Sequence, residues 1–149
     1  MDKTDLAYAA GIIDGEGCIS IVRCRRQDVI SGYVNALKVS VGMVDDRVVK
    51  WLHQRFGGHF RTQRPTETNH KSVFIWLIQA TQAQELLIQL LPYLKLKHDQ
   101  AVLAIDFQST KSVGRKYGSH SPKPIEAYDV EEKARVLLKS LHQGGEHSE

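Results

Sequence analysis

Residues Tyr8–Ile21, YAAGIIDGEGCISI, decide how the rest of this chain is read. The stretch is a short apolar helix pattern that ends in two carboxylates, Asp14 and Glu16. Three glycines (Gly11, Gly15 and Gly17) run through it, and the chain then turns at once into an alternating strand. Acids at the C-terminal end of a helix face the negative pole of its macrodipole, an unfavourable place for them. The pattern therefore implies that something positive sits beside them.

Upstream, Thr4 or Asp5 is a candidate N-cap for a helix running to about Asp14. Ala7, Ala10, Gly11 and Asp14 fall at i, i+3, i+4 and i+7, a stripe of mostly small residues that lets two backbones approach closely. Leu6, Ile12 and Ile13 point elsewhere, into a core. Downstream, CISIVRCRR and NALKVSVG alternate with period two and predict a hairpin of about Cys18–Arg26 with Val34–Gly42. Asp45 or Asp46 caps a second helix, DRVVKWLHQRF, stopped by Gly57-Gly58. HFRTQR and SVFIWLIQA form a second hairpin, TQAQELLIQLLPYL a third helix ended or kinked at Pro92, and KHDQAVLAIDFQ a fourth. A Ser/Gly/Pro/Lys-rich linker precedes a last helix, EAYDVEEKARVLLKSLH. The expected organisation is one domain over 1–149: a core to 108, a basic linker 109–125, a helix 126–143 and a tail. The order α-β-β-α-β-β-α predicts an α+β fold with one four-stranded antiparallel sheet, helices on one face and the other face open.

At 149 residues with 42% apolar content, the chain suits one domain with a real core. The net charge is only +3, but it is unevenly spread. Ser20–Lys71 holds ten basic residues against four acids, 10 − 4 = +6, which points to a polyanionic partner. Cys18 and Cys24 lie on one predicted strand, their α-carbons ~20 Å apart, too far for a disulfide. They read as free thiols of a reducing compartment. With no signal or transit segment and no membrane-length apolar run, the expectation is a soluble intracellular protein of a bacterial cytoplasm or organelle, not secreted and with no membrane partner. Histidines and cysteines lack zinc spacing, and no nucleotide-binding or nucleophile-elbow pattern appears, so no small-molecule cofactor is expected.

On the open face, alternation sends Ser20, Val22, Cys24 and Arg26 outward from the first strand, with Lys38 and Ser40 beside them. His59, Arg61 and Gln63 face out from the third strand, while Phe60 and Thr62 face in. The fourth strand is apolar on both faces, with Trp76 and Ile78 read as inward. Arg and Lys pair with guanine and Gln with adenine, so this face suits base edges in a major groove. Arg64, Lys71 and the linker bases Arg115, Lys116 and Lys123 suit phosphates.

Ala9 to Gly17, AAGIIDGEG, resembles the nine-residue LAGLIDADG motif. It is followed by the strand pairs, the helix ending in FGG, the helix ending PYLKLK and a closing ARVLLKSL that are similar to that family. The resemblance covers the chain to about Asp99 and implies the LAGLIDADG homing endonuclease fold. One motif in one domain resembles the homodimeric branch, in which two motif helices pack at a two-fold axis. Family members are site-specific DNA endonucleases of mobile introns and inteins, and some relatives are RNA maturases.

What the resemblance implies is a homodimer that cuts both strands of a long, pseudo-palindromic duplex by Mg²⁺-assisted hydrolysis. Ala7, Ala10, Gly11 and Asp14 take the dimer interface, with Asp14 also supporting the helix ends. Glu16 takes the position of the metal-binding acid and catalytic residue, and the Gly15 carbonyl that of a second metal ligand. Lys97 matches the family's active-site lysine, and Arg47 falls where some homodimeric members keep a basic active-site residue. Met43 departs from the pattern, since many members carry a Gln there. The alternative is a non-catalytic nucleic-acid binder, a maturase or regulator, on the same scaffold.

Overall fold

The computed structural model describes residues 2–28, 32–68, 70–114 and 125–143. The first helix, α1 (Lys3–Glu16), is capped by Asp2, whose carboxylate accepts from the Thr4 N–H at 3.2 Å. The cap therefore lies upstream of the expected Thr4 or Asp5, and Asp5 instead pairs with Arg55 at 3.4 Å. The helix also runs two residues past Asp14. It joins strand β1 (Gly17–Arg25) without a loop. A Cβ on Gly17 would lie 2.7 Å from the Ile13 backbone, so only glycine lets helix and strand abut this closely.

Strand β2 (Tyr33–Met43) returns antiparallel to β1, followed by α2 (Asp46–Phe56), β3 (His59–Gln63), β4 (Val73–Gln79) and α3 (Ala80–Leu90). Asp45 is the N-cap of α2, accepting from Arg47 N at 3.0 Å. The sheet order is β1-β2-β4-β3, antiparallel throughout. Ile19, Ile21, Leu37, Val39, Val41, Trp76 and Ile78 are buried beneath the helices, as the alternation requires. The ambiguous β4 thus resolves with Trp76 and Ile78 inward and Ile75 and Leu77 outward. Phe60 lies on the inner side and stacks on Phe74, ring centroids 6.2 Å apart. Thr62, expected to face in, is exposed, because it stands near the end of a short edge strand beyond the helices' cover.

Helix α3 stops at Leu90, just before Pro92, so the proline ends the helix rather than kinking it. Proline cannot continue a helix, and Tyr93 and Leu94 both donate to the Leu90 carbonyl in a turn around Pro92 (2.9 and 3.1 Å). Helix α4 (His98–Gly114) overruns the expected linker start at Ser109. The Ser109 and Thr110 hydroxyls donate to the carbonyls four residues back, each at 3.0 Å, and Gln84 of α3 donates to Ser109 Oγ at 2.8 Å. Hydroxyl-rich composition misled because these side chains are satisfied on the helix itself. The remaining linker, with Arg115, Lys116 and Lys123, lies outside the described residues. Helix α5 (Ile125–Gln143) packs on α4 and along β1, where Glu132 pairs with Arg23 at 2.8 Å. Cys18 and Cys24 are free thiols. Among the described residues no helix is long and apolar enough to cross a membrane.

The indole N–H of the fully buried Trp76 donates to the Gly57 carbonyl at 2.7 Å, tying β4 to the turn after α2. Trp76→Phe leaves that carbonyl unpaired and is expected to cost about 2 kcal/mol, read as a lowered denaturant midpoint with unchanged slope.

Candidate active site and nucleic-acid interface

At 3.6 residues per turn, Asp14 and Glu16 stand ~200° apart around α1, so the two acids have opposite surroundings. Asp14 faces the turn before α4 and accepts from Lys95 N at 2.8 Å and Lys97 N at 2.9 Å. Lys97 returns the contact: its Nζ donates to the carbonyls of Asp14 at 2.7 Å and Ile13 at 3.0 Å. A cation thus caps the negative pole of a helix that has no basic residue in its own last turn. Burial alone would raise the Asp14 carboxyl, but the N–H donors of Lys95, Lys97 and Leu96 and the Lys97 charge together hold it below its ordinary value.

Glu16 is exposed and makes no hydrogen bond or ion pair among the described residues. Beside it opens a groove of about 910 Å³ lined in part by Gly15, Gly17, Lys97, Gln100 and His142. His142 Nε2 lies 2.7 Å from the Ile19 carbonyl, holding the end of α5 against edge strand β1. The structure brings Lys97 to Asp14 and lines one groove with Gly15 and Lys97, while Glu16 follows Gly15 in the chain without a contact to Lys97 among the described residues. It does not bring Arg47 into contact with them. Arg47 is 86% exposed and paired with Asp45 at 2.6 Å, and its guanidinium and N–H hold the Asp45 carboxyl down at about 2. Met43 ends β2 on its inner side, partly buried against the core, so its thioether serves packing.

The small-residue stripe on α1 is rotated from its expected composition. Ala10 is fully buried and belongs to the core, a correction to its place in an interface, because Ala9 and Ala10 face the sheet together. Ala7, Gly11 and Gly15 are exposed, at i, i+4 and i+8. A Cβ on Gly11 or Gly15 would meet nothing within 4 Å. Within the described residues the chain therefore has no steric need for glycine there, although mid-helix glycine costs about 1 kcal/mol relative to alanine.

No group of three or more His, Cys, Asp or Glu that could hold a metal exists among the described residues. Glu16 with the Gly15 carbonyl is a hard-oxygen donor set that suits Mg²⁺, and in one protomer it is only part of a coordination sphere. Mg²⁺ keeps several waters and binds substrate phosphates, so two oxygen donors from the chain are compatible with that ion.

On the sheet's outer face the register sets rows across strands: Ser20–Lys38–Gln79, then Cys18–Ser40–Leu77–His59, then Gly42–Ile75–Arg61, then Val73–Gln63. Val22 and Cys24 continue this face along β1 opposite Ala36 and Val34. Several cations of the basic segment are locally neutralised: Arg26 by Asp28 (2.5 Å), Arg47 by Asp45, Lys50 by Asp46 and Arg55 by Asp5. Lys38, Arg61, Arg64 and Lys71 have no ion-pair partner among the described residues. Arg26 therefore enters any interface already paired. Gln79, Ile75 and Leu77 were not singled out by sequence reasoning; the strand register, which the sequence did not specify for β4, was the missing signal.

No protein-family model matches the chain, and no curated protein matches it. Solved structures do. The homing endonuclease I-CvuI, in complex with a DNA target left uncleaved in the presence of Mg, superposes with a TM-score of 0.75 at 19% identity, covering 93% of this chain and 82% of that one. The archaeal intron-encoded homing endonuclease I-Vdi141I, complexed with DNA, gives 0.74 at 14% identity over 95% and 86%. A double lysine-to-alanine variant of I-SmaMI gives 0.67 at 16% identity, with 87% of this chain matching 42% of that one. The chain has the homing endonuclease fold, and its motif resembles LAGLIDADG.

Asp14→Asn removes the charge from the cap and is expected to cost ~1–2 kcal/mol at pH 7 after solvent screening. Because the folded carboxyl lies below its ordinary value, its stabilisation is complete above the unfolded pKa of about 3.9 and is lost as pH falls through the lower folded one. Denaturant midpoints of wild type and variant should differ at pH 7 and converge towards pH 2.

Proposed function

We propose that the protein is a site-specific double-strand DNA endonuclease that works as a homodimer on a long, pseudo-palindromic target, by divalent-metal-assisted phosphodiester hydrolysis. The observation that carries this reading is the division of labour at the motif end. Asp14 and Lys97 neutralise each other's surroundings within the protomer, while Glu16, two residues on, is left exposed and has no partner among the described residues. Duplex DNA as partner is supported by the fold shared with proteins solved on DNA and by the unpaired cations of the open face.

The dimer reading rests on Gly11 and Gly15, which the protomer does not need and a close helix–helix contact does. The match to less than half of I-SmaMI is what one unit gives against a chain with room for two. Two-fold packing of α1 brings two Glu16 carboxylates towards one another beside two negative helix ends, a repulsion that a divalent cation offsets. Bound there, Mg²⁺ would supply Lewis-acid polarisation of the phosphate and ease loss of a proton from water to give the attacking hydroxide. Glu16 and the Gly15 carbonyl hold that position. Lys97, anchored by two of its three N–H groups, presents the third to charge developing on the phosphate. Two-fold symmetry of the protein requires mirrored half-sites in the DNA.

A second reading, a nucleic-acid binder without cleavage, is favoured by Met43, which lies against the core and offers the site no polar atom. One experiment separates the two. A randomised duplex library is selected for binding and cleavage with Mg²⁺ and with Ca²⁺, using wild type and Glu16→Gln. Wild type with Mg²⁺ is expected to cut a recurring site, and Glu16→Gln to bind it while cutting at least ~100-fold more slowly. A site that is bound but cut by neither protein supports the binder. Gly11→Leu is expected to leave the helix content of the protomer unchanged and to convert the dimer to a monomer by light scattering. A wild type already monomeric removes the shared site.

A further inference from the structure

The open face is less polar than a merely solvated sheet would be. Val73, Ile75 and Leu77 run down its central strand β4 on the outward side, half-buried, with no helix over them. Each sits beside one polar residue of β3: Leu77 opposite His59, Ile75 opposite Arg61 and Val73 opposite Gln63. On the other flank, Gly42 stands across from Ile75 and carries no side chain. A Cβ there would lie 3.4 Å from the Val73 Cγ1 methyl and 3.8 Å from the Ile75 Cγ1 methylene, so glycine leaves both uncovered on the β2 side. The arrangement is an apolar strip edged by hydrogen-bonding groups, on a face that also holds Lys38 and Arg61, which have no ion-pair partner among the described residues.

The occupant this fits is B-DNA, whose major groove offers one exposed apolar group, the thymine 5-methyl, next to purine N7, O6 and N6. Residues on one face of a strand repeat at about 6.8 Å, the length of two base-pair steps of ~3.4 Å. Val73, Ile75 and Leu77 therefore meet alternate base pairs of a duplex that follows the strand. We infer that the strip Val73–Ile75–Leu77 is a thymine-methyl reader, and that Arg61 and Gln63 beside it read neighbouring purines. Each half-site then carries thymines two base pairs apart, with purines adjacent. This assignment rests on the duplex-DNA reading above and names which bases that face selects.

The test replaces thymine by deoxyuridine, which deletes only the methyl group and leaves the protein untouched. In a duplex recovered by binding selection, each thymine is exchanged singly and the Kd measured. At two or three alternate positions per half-site, the loss of the methyl is expected to weaken wild-type binding about fourfold, the effect of one buried methyl-sized group. Ile75→Ala should bind the thymine and uracil duplexes equally at one of those positions and still discriminate at the others. Wild type indifferent to the exchange at every position overturns the strip as a thymine reader while leaving the duplex reading intact. Discrimination unchanged in Ile75→Ala also overturns it. Failure to recover any recurring duplex site overturns the DNA reading itself, and the strip assignment with it.

Discussion

The reciprocal cap between Asp14 and Lys97 is the constraint from which the site follows. Lys97 donates its backbone N–H to the Asp14 carboxylate and its ammonium to two carbonyls at the end of α1. Its own carbonyl accepts from Ala101 N at 2.9 Å and opens α4. One residue therefore fastens the end of the motif helix to the start of a helix more than eighty positions away. The helix needs this from outside, because its last turn carries acids and glycines and no cation. The arrangement fixes where the chain enters β1, since Gly17 leaves no slack between helix and strand.

The two-residue spacing of the acids gives them separate fates. With ~100° per residue, one carboxylate can face the cap only if the other faces away. Asp14 accepts two backbone hydrogen bonds and lies beside the Lys97 charge. Glu16 receives none of this. An exposed acid at a helix C-terminus disfavours the helix slightly, and a surface position tolerates many other residues. Its presence there, next to glycines whose conformational cost the protomer does not recover, is the kind of local conflict that functional sites retain.

Most of the architecture was legible because it rests on period. Ile19/Ile21 and Leu37/Val39/Val41 alternate, and alternation assigns faces without knowledge of the rest of the fold. Where period failed, tertiary structure decided. Strand β4 is apolar on both sides, and its inward residues are settled by the hydrogen bond from Trp76 to the turn at Gly57. Ala10 sits at the right spacing for an exposed stripe, but alanine is small enough for either environment, and the sheet packs against it. The end of α4 was hidden by Ser109 and Thr110, whose hydroxyls return to their own helix. At the site, the motif singled out Asp14 and Glu16 and the PYLKLK stretch singled out Lys97, but neither showed that Asp14 and Lys97 cap one another. That pairing spans the length of the domain and leaves no local signature.

The same geometry bears on how cutting would be coupled to reading. Glu16 is the last residue of α1, and Cys18, two residues on, is the first outward position of β1. In the endonuclease reading, the group that acts on the phosphate and the strand that reads bases are thus one continuous backbone, with a glycine between them that cannot be enlarged. Cys18 shares its row with Ser40, Leu77 and His59, so every strand of the sheet is referenced to Glu16 through backbone hydrogen bonds. Reading sites placed on loops would let the distance between recognised bases and the acid fluctuate by ångströms, and misplacement on that scale carries a large cost in rate. On that reading, side chains on the open face can change which sequence is bound without moving the acid relative to the sheet. In the endonuclease reading, sequence preference and cleavage position are therefore separable, the first set by outward side chains and the second by the junction at Gly17.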